Sequence, residues 1–314
     1  MRIVFMGTPT FAVNSLEQLT QAGHEIIAVI TQPDRPKGRG KKLSPPPVKE
    51  KALELGLKVL QPEKVKDSIF IEKLQQLNPQ VIVVVAFGQI LPKAILDLPE
   101  YGCINVHASL LPRYRGPAPI HWAIINGETE SGVTTMLMDE GLDTGDMLLK
   151  ARVLIDQNMT TGELHDRLAI LGGQVLVETL EKLEKNLLKP EPQNHELATY
   201  APLLTKEHEK IDWKKSAVSV HNLVRGMNPW PGAYTFIEDR RIKIKETRLK
   251  DKLDLQGQPG EVLAITSEGL WVQTGDKPLL ITKVQPSGKN EMSVNDFVNG
   301  YRIKPGQIFG ELNG

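Results

Sequence analysis

Short apolar segments alternate with amphipathic stretches through the first half of the chain. Strand-like RIVFMG (2–7), EIIAVIT (25–31), KVLQ (58–61) and QVIVVVAF (80–87) are separated by helical patterns over 11–22, near 48–56 and at 68–77. That alternation predicts βαβ units in a mostly parallel sheet. The strands are unbroken Val/Ile runs rather than in/out alternations, as expected when helices cover both faces, so a doubly wound α/β sheet follows. The segment GVTTMLMD (132–139) and a long amphipathic helix around 161–185, with Leu164, Leu168, Leu171, Val175, Leu176, Leu180 and Leu183 on its apolar stripe, close this layer. From 186 to about 209 proline and polar residues mix without a period, and the stretch reads as a linker. A short helix near 216–226 then precedes the strand candidates RIKIKETRL (241–249), GEVLAIT (260–266), GLWVQT (269–274) and LLITKVQ (279–285), whose close spacing predicts a small β-barrel or sandwich. The expected organisation is a doubly wound domain over 1–189, a linker over 190–208 and a β-barrel over 209–314.

Composition narrows the partners. With 38 basic and 38 acidic residues the net charge is zero, so a nucleic-acid or membrane partner has to be met by a local patch. One such patch exists. Across 34–51, Arg35, Lys37, Arg39, Lys41, Lys42, Lys49 and Lys51 face only Asp34 and Glu50, a local charge of +5. The same stretch, rich in proline and glycine, reads as a long loop off the end of the second strand, on the edge of the sheet where ligands bind. The longest apolar run, VIVVVAF (81–87), falls far short of the ~20 residues that span a bilayer, and the chain opens directly on a strand; neither export nor membrane insertion is expected. The single cysteine, Cys103, allows no internal disulfide or thiolate metal cluster and fits a reducing compartment as a core residue. The G-x-G-x-x-G fingerprint is absent from GTPTFA (7–12), and GRGKK (38–42) fails the Walker spacing, so a nicotinamide or P-loop nucleotide site is poorly supported.

The candidate chemistry lies at GCINVHASLLPRYRGPAPIHW (102–122). Residues two apart on a strand share a face, so Asn105 and His107 point together at the strand's carboxyl end while Ile104 and Val106 face the other way. A histidine working as an acid or stabilising cation needs a carboxylate to orient it. The loop DEGLDTGD (139–146), directly after another strand, offers Asp139, Glu140, Asp143 and Asp146, and spacing does not choose among them.

NVHASLLPRYRG followed by GVTTMLMDEGLDTGD resembles the folate-dependent formyltransferases, whose motif joins an Asn-x-His strand, a Ser-Leu-Leu-Pro turn and an Asp in a D-x-G-x-D-T-G loop. The likeness runs in order over essentially the full chain through GTPTFA, TQPDRPKGRGKKLSPPPVK, VVVAFGQILP, KIDW and NPWPGAY, and is greatest to members that formylate methionyl initiator tRNA. The resemblance implies a Rossmann-like catalytic domain with an OB-like C-terminal barrel, and a catalytic trio of Asn105, His107 and Asp143. It implies 10-formyltetrahydrofolate as co-substrate, lying against the main chain and side chains of Phe87, Gly88, Gln89, Ile90 and Leu91 and the turn Ser109, Leu110, Leu111 and Pro112, with no metal. Initiator methionyl-tRNA would meet the basic loop at Arg35, Lys37, Arg39, Lys41 and Lys42, with Arg39, between two glycines, reaching deepest. Neither DNA nor a membrane is an expected partner, and the protein is expected to be a cytoplasmic monomer. The alternative acceptor is the amine of a sugar nucleotide, against which the charge of the loop speaks.

Overall fold

The structure, a computed structural model, describes residues 1–37, 42–250 and 255–310. By its internal contacts the chain divides into two units, Met1–Pro119 with Ser131–Val153 and His165–Ala201, and Ile120–Glu130 with Leu154–Leu164 and Pro202–Gly314. The elements run β1 (Arg2–Gly7), α1 (Phe11–Gln21), β2 (Glu25–Ile30), β3 (Arg35–Lys37), β4 (Lys42–Ser44), α2 (Pro47–Glu54), β5 (Val59–Leu60), α3 (Ser68–Leu77), β6 (Val81–Val85), α4 (Lys93–Leu96), β7 (Cys103–His107), α5 (Pro119–Ile125), β8 (Glu130–Leu137), β9 (Met147–Leu154) and α6 (Thr161–Glu184).

Among the described residues the first unit is built on a sheet of order β5-β2-β1-β6-β7-β8-β9. β1 pairs in parallel with both β2 and β6, β6 continues in parallel to β7, and β8 runs antiparallel to β7. The chain therefore winds outward from β1 through β2 to β5, then restarts at β6 and proceeds the other way, which opens a crevice at the carboxyl ends of β1 and β6. Val4, Met6, Ile82, Val84 and Cys103 form one buried face with Phe70, Leu74 and Ile95. Each large aliphatic chain so buried contributes about 1.5–3 kcal/mol. Helix α3 begins where the Asp67 carboxylate accepts the Ile69 N–H at 3.0 Å and stops at Asn78, whose φ of 47° cannot continue it. The Cys103 thiol donates to the Ile95 carbonyl at 3.5 Å, and burial pushes its pKa up to about 12.

The second unit follows with α7 (Lys206–Glu209), α8 (Ala217–Gly226), β10 (Tyr234–Ile237), β11 (Arg240–Arg248), β12 (Val262–Thr266), β13 (Gly269–Gln273), β14 (Pro278–Pro286), β15 (Met292–Ser293), α9 (Val294–Tyr301) and β16 (Phe309–Gly310). Its antiparallel strands run in the order β12-β13-β14-β11-β10-β16. A bridge between Glu261 and Ile308 joins the two ends, with Val262 N–H donating to Gln307 O and Phe309 N–H to Gly260 O, both at 2.8 Å, so the sheet closes into a barrel. Ile211, Trp213, Val220, Val224, Ile242, Val272, Ile281, Phe297 and Phe309 fill it. On α8, His221 is buried between the Thr247 hydroxyl at its Nδ1 (2.8 Å) and the Gln157 carbonyl at its Nε2 (2.9 Å). Burial, reinforced by the charges of Arg225 and Arg248, lowers its pKa below the usual 6.5 against the opposing pull of the Gln157 hydrogen bond.

The unfolded chain thus takes up a proton at His221 before the folded one does, so this site's contribution is whole above pH 6.5 and lost as pH falls below that value. Urea denaturation at pH 8 and at pH 5.5 measures the loss, and His221→Gln should flatten the dependence. Iodoacetamide at pH 8 should leave Cys103 unmodified in the folded protein and label it in urea, as mass spectrometry will show.

Candidate active site

Strand β7 carries the Asn–His pair to the edge of the sheet. Asn105 lies opposite Met136 and His107 opposite Thr134 on β8, while Ile104 and Val106 are buried on the other face. His107 is buried, and both of its nitrogens meet acceptors: Nε2 lies 2.9 Å from the Tyr114 carbonyl and Nδ1 3.6 Å from Asp143 Oδ2. The second distance is that of an ion pair rather than a hydrogen bond. A carbonyl on one side and a carboxylate on the other suit an imidazolium, which is a donor at both nitrogens. The Asn105 amide, half-buried, has no hydrogen-bond partner among the described residues.

Of the four acidic candidates in 139–146, the structure brings Asp143 to the histidine. Asp139 is spent on its own loop, accepting from Thr144 Oγ1 at 2.6 Å and from Gly141 N–H at 3.0 Å. Asp143 has a left-handed backbone, φ 53°, and its Oδ2 also accepts the Gly116 N–H at 2.8 Å. Tyr114 (φ 61°) and Ala86 (φ 47°) share that conformation, so three non-glycine residues of the site sit where side chains are disfavoured. Gly116 itself has φ 114°, and a Cβ there would stand 2.8 Å from the Ala201 carbonyl oxygen.

The turn after β7 is stapled from beneath by Thr134, a fully buried residue: its hydroxyl donates to Ser109 O at 2.7 Å and accepts from Leu111 N–H at 3.1 Å. Ser109 Oγ closes the turn by donating to Arg113 O at 2.6 Å, and Leu111–Pro112 is a cis peptide. Leu111 is core, packed with Met136 and Met147, whereas Leu110 is half-buried.

The neighbouring segment 86–91 continues from β6. Phe87 and Leu91 belong to the sheet core and Ile90 is 90% exposed, so of the expected apolar side chains here Ile90 is the one open to a ligand. The Phe87 carbonyl accepts from Thr8 Oγ1 (2.9 Å) and Gln32 Nε2 (3.2 Å), which ties together the loops after β1, β2 and β6. Gln89 is turned toward Val65 N–H and Glu63 O. Gly88 (φ 88°) has open space where a Cβ would be, and among the described residues the main-chain N–H groups of 88–90 meet no protein acceptor. A flat heterocycle edged with donors and acceptors fits such a main-chain strip.

In place of one long loop, the basic stretch forms an antiparallel hairpin of β3 and β4. Its base is fixed by Asp34, which accepts from Lys49 Nζ at 2.7 Å and from Gln61 Nε2 at 2.8 Å; the Gln61 and Lys49 hydrogen bonds hold this carboxyl below its ordinary range. Arg35 is exposed on β3, Lys37 and Lys42 end the two strands, and Arg39 and Lys41 lie outside the described residues.

Sequence reasoning passed over a set of residues that the structure joins to the site. Arg115 is 2% exposed and Gln193 5%. Arg115 Nε and Nη2 donate to Gln193 Oε1 at 3.0 and 2.7 Å, and Gln193 Nε2 donates to the carbonyls of Asp143 and Gly145, both at 2.8 Å. Thr199 Oγ1 accepts the Tyr114 N–H at 2.9 Å, and residue 115 pairs in parallel with Tyr200.

A half-buried amide, a buried imidazole and a carboxylate lie at the carboxyl edge of a doubly wound sheet, in a chain that continues into a closed barrel, and the chain belongs to the formyl transferases: the formyl transferase model matches residues 1–180 and the C-terminal domain model residues 203–302. Within that class it is similar to methionyl-tRNA formyltransferases. It is 53% identical over 310 residues to that of Desulforamulus reducens, covering 99% of this chain and 98% of the relative, and 54% identical over 309 residues to that of Caldanaerobacter subterraneus subsp. tengcongensis, covering 98% and 99%. Among solved structures, HypX from Aquifex aeolicus in complex with tetrahydrofolic acid is similar in fold, with a TM-score of 0.66 at 19% identity over 96% of this chain and 47% of that one.

Gly116→Ala should destabilise the protein by about 1–3 kcal/mol through its left-handed backbone alone, with the Ala201 contact adding to this. Urea denaturation of the variant beside the parent measures the effect.

Proposed function

We propose that the chain transfers the formyl group of 10-formyltetrahydrofolate to the α-amino group of methionyl initiator tRNA. The observation that carries this reading is the approach of His107 Nδ1 to 3.6 Å from Asp143 Oδ2, with Asn105 two residues from His107 on the same strand. The full-length likeness to methionyl-tRNA formyltransferases supports the acceptor. The folate, when bound, supplies the formyl carbon.

Attack of an amine on that carbon builds negative charge on the formyl oxygen, and loss of one donor aimed at such an oxygen raises a barrier by about 3–4 kcal/mol. The Asn105 amide is the side-chain donor free to face it. His107, committed through Nε2 to the Tyr114 carbonyl, contributes its charge and holds Asp143 close. Asp143 Oδ2 is occupied by Gly116 N–H, while Oδ1 has no partner among the described residues and is the base that receives the proton shed by the amine. Main-chain groups of 88–90, the exposed Ile90 and the turn Ser109–Pro112 would hold the folate.

For the tRNA, phosphate contacts supply affinity and its salt dependence. The basic stretch with Arg35, Lys37, Arg39, Lys41 and Lys42 is the contact in the first unit, with the barrel as a clamp on the backbone of the RNA: residues 209–314 carry 16 basic and 13 acidic side chains. A sugar-nucleotide amine would leave the +5 of 34–51 without a use.

His107→Ala should abolish formyl transfer while folate binding, followed by fluorescence, survives. Arg39→Ala should raise the KM for charged initiator tRNA and flatten its salt slope, with kcat unchanged. Turnover of an amino-sugar nucleotide at a rate matching charged initiator tRNA would overturn the acceptor assignment.

A further inference from the structure

Asp143 is gripped at both ends. Its carboxylate takes the Gly116 N–H and its own carbonyl takes one Gln193 N–H, the other N–H of that amide going to Gly145 O. Both lone pairs of Gln193 Oε1 are used by the Arg115 fork, so the amide has every donor and acceptor satisfied and is fixed in one orientation. Arg115 in turn is held by its main chain, with N–H donating to Thr199 O at 2.8 Å and O accepting from Ala201 N–H at 2.7 Å, and by Nη1 at 3.2 Å from His195 Nδ1. Among the described residues its guanidinium contacts no carboxylate, so the orientation of Gln193 is what this buried cation serves. The segment bearing Gln193 is itself laced to β9, Met147 and Glu191 exchanging hydrogen bonds of 2.8 and 2.9 Å.

We propose that Gln193, oriented by Arg115, is a positioning residue that holds the Asp143 loop in its left-handed conformation and so sets the approach of the carboxylate to His107. It rests on the reading of Asp143 as the catalytic base. Neither residue touches the reacting atoms; they act through the peptide groups of 143 and 145. Gln193→Glu is the discriminating change, because the carboxylate keeps the bond to Arg115 and turns oxygen toward two carbonyls, where the amide turned N–H.

The experiment measures kcat and KM for folate and for charged initiator tRNA in Gln193→Glu, Arg115→Lys, Asp143→Asn and the Gln193→Glu/Asp143→Asn pair, with thermal unfolding of each. Misplacing a reacting group by about 1 Å lowers a rate about 100-fold, and a kcat loss of that order in Gln193→Glu, with both KM values held, is expected. In the Asp143→Asn background the same change should add nothing, since both act at one point. Arg115→Lys, which retains the charge and loses the fork, should show the same split in smaller measure, and it carries the test if Gln193→Glu fails to fold. An unchanged kcat in a folded Gln193→Glu, or a loss that simply multiplies with that of Asp143→Asn, overturns the assignment. A fully active Asp143→Asn would instead remove the base reading on which it rests.

Discussion

Asp143 occupies a backbone region that costs a non-glycine residue about 1–3 kcal/mol, and it does so beside an imidazole it has to face. Such a conformation persists only when its surroundings over-determine it. Here they do, through Gly116 on the carboxylate and Gln193 on the carbonyl, both brought by the chain running past Arg115 and 190–201. Tyr114, equally left-handed, is pinned on one side by Thr199 and on the other by His107. The geometry of the site is thus set by hydrogen bonds to main-chain groups more than by packing of the functional side chains themselves.

The sheet supplies the other half of that rigidity. Because β7 is a central strand bonded on both sides, Asn105 and His107 leave it on a common face with little freedom, and the antiparallel β8 places Thr134 beneath the turn that follows. Ser109 and Leu111 are read by the same hydroxyl, which fixes the turn to the strand that carries the histidine's neighbour. On the far side of the crevice, the Phe87 carbonyl accepts from the loops after β1 and β2, so three strand ends are tied at one acceptor.

Much of this was legible in the sequence. Unbroken Val/Ile runs gave β1, β2 and β6, because strands covered on both faces need no polar alternation. The long leucine stripe marked α6, and the spacing of Asn105 and His107 put them on one face. What escaped notice lacked a local signal. Gln193, the first of two adjacent amides after Pro192, acquires its meaning only when folding sets it against residues 143, 145 and 115. The hairpin of β3 and β4 is three residues a side in a proline-rich stretch, too short for a period-2 pattern to show. Helix α9 is eight residues long with Gly300 near its end, so its buried stripe of Val294, Phe297 and Val298 spans barely two turns, and Ser293, whose hydroxyl accepts the Asp296 N–H at 3.1 Å, marks its start. The choice of Asp143 over its acidic neighbours needed either the family motif or the coordinates, since nothing in the local sequence shows that Asp139 is satisfied within its own loop while Asp143 turns to His107.

The seam between Glu261 and Ile308 bears on how the molecule survives in crowded solution. An open antiparallel sheet presents a row of unpaired amides and carbonyls onto which another chain's strand can add. In the second unit those groups are joined to each other at 260–262 and 307–309, so the barrel offers no template there for intermolecular growth. A short β16, two residues long, suffices for this protection because it has only to deny the edge to strangers.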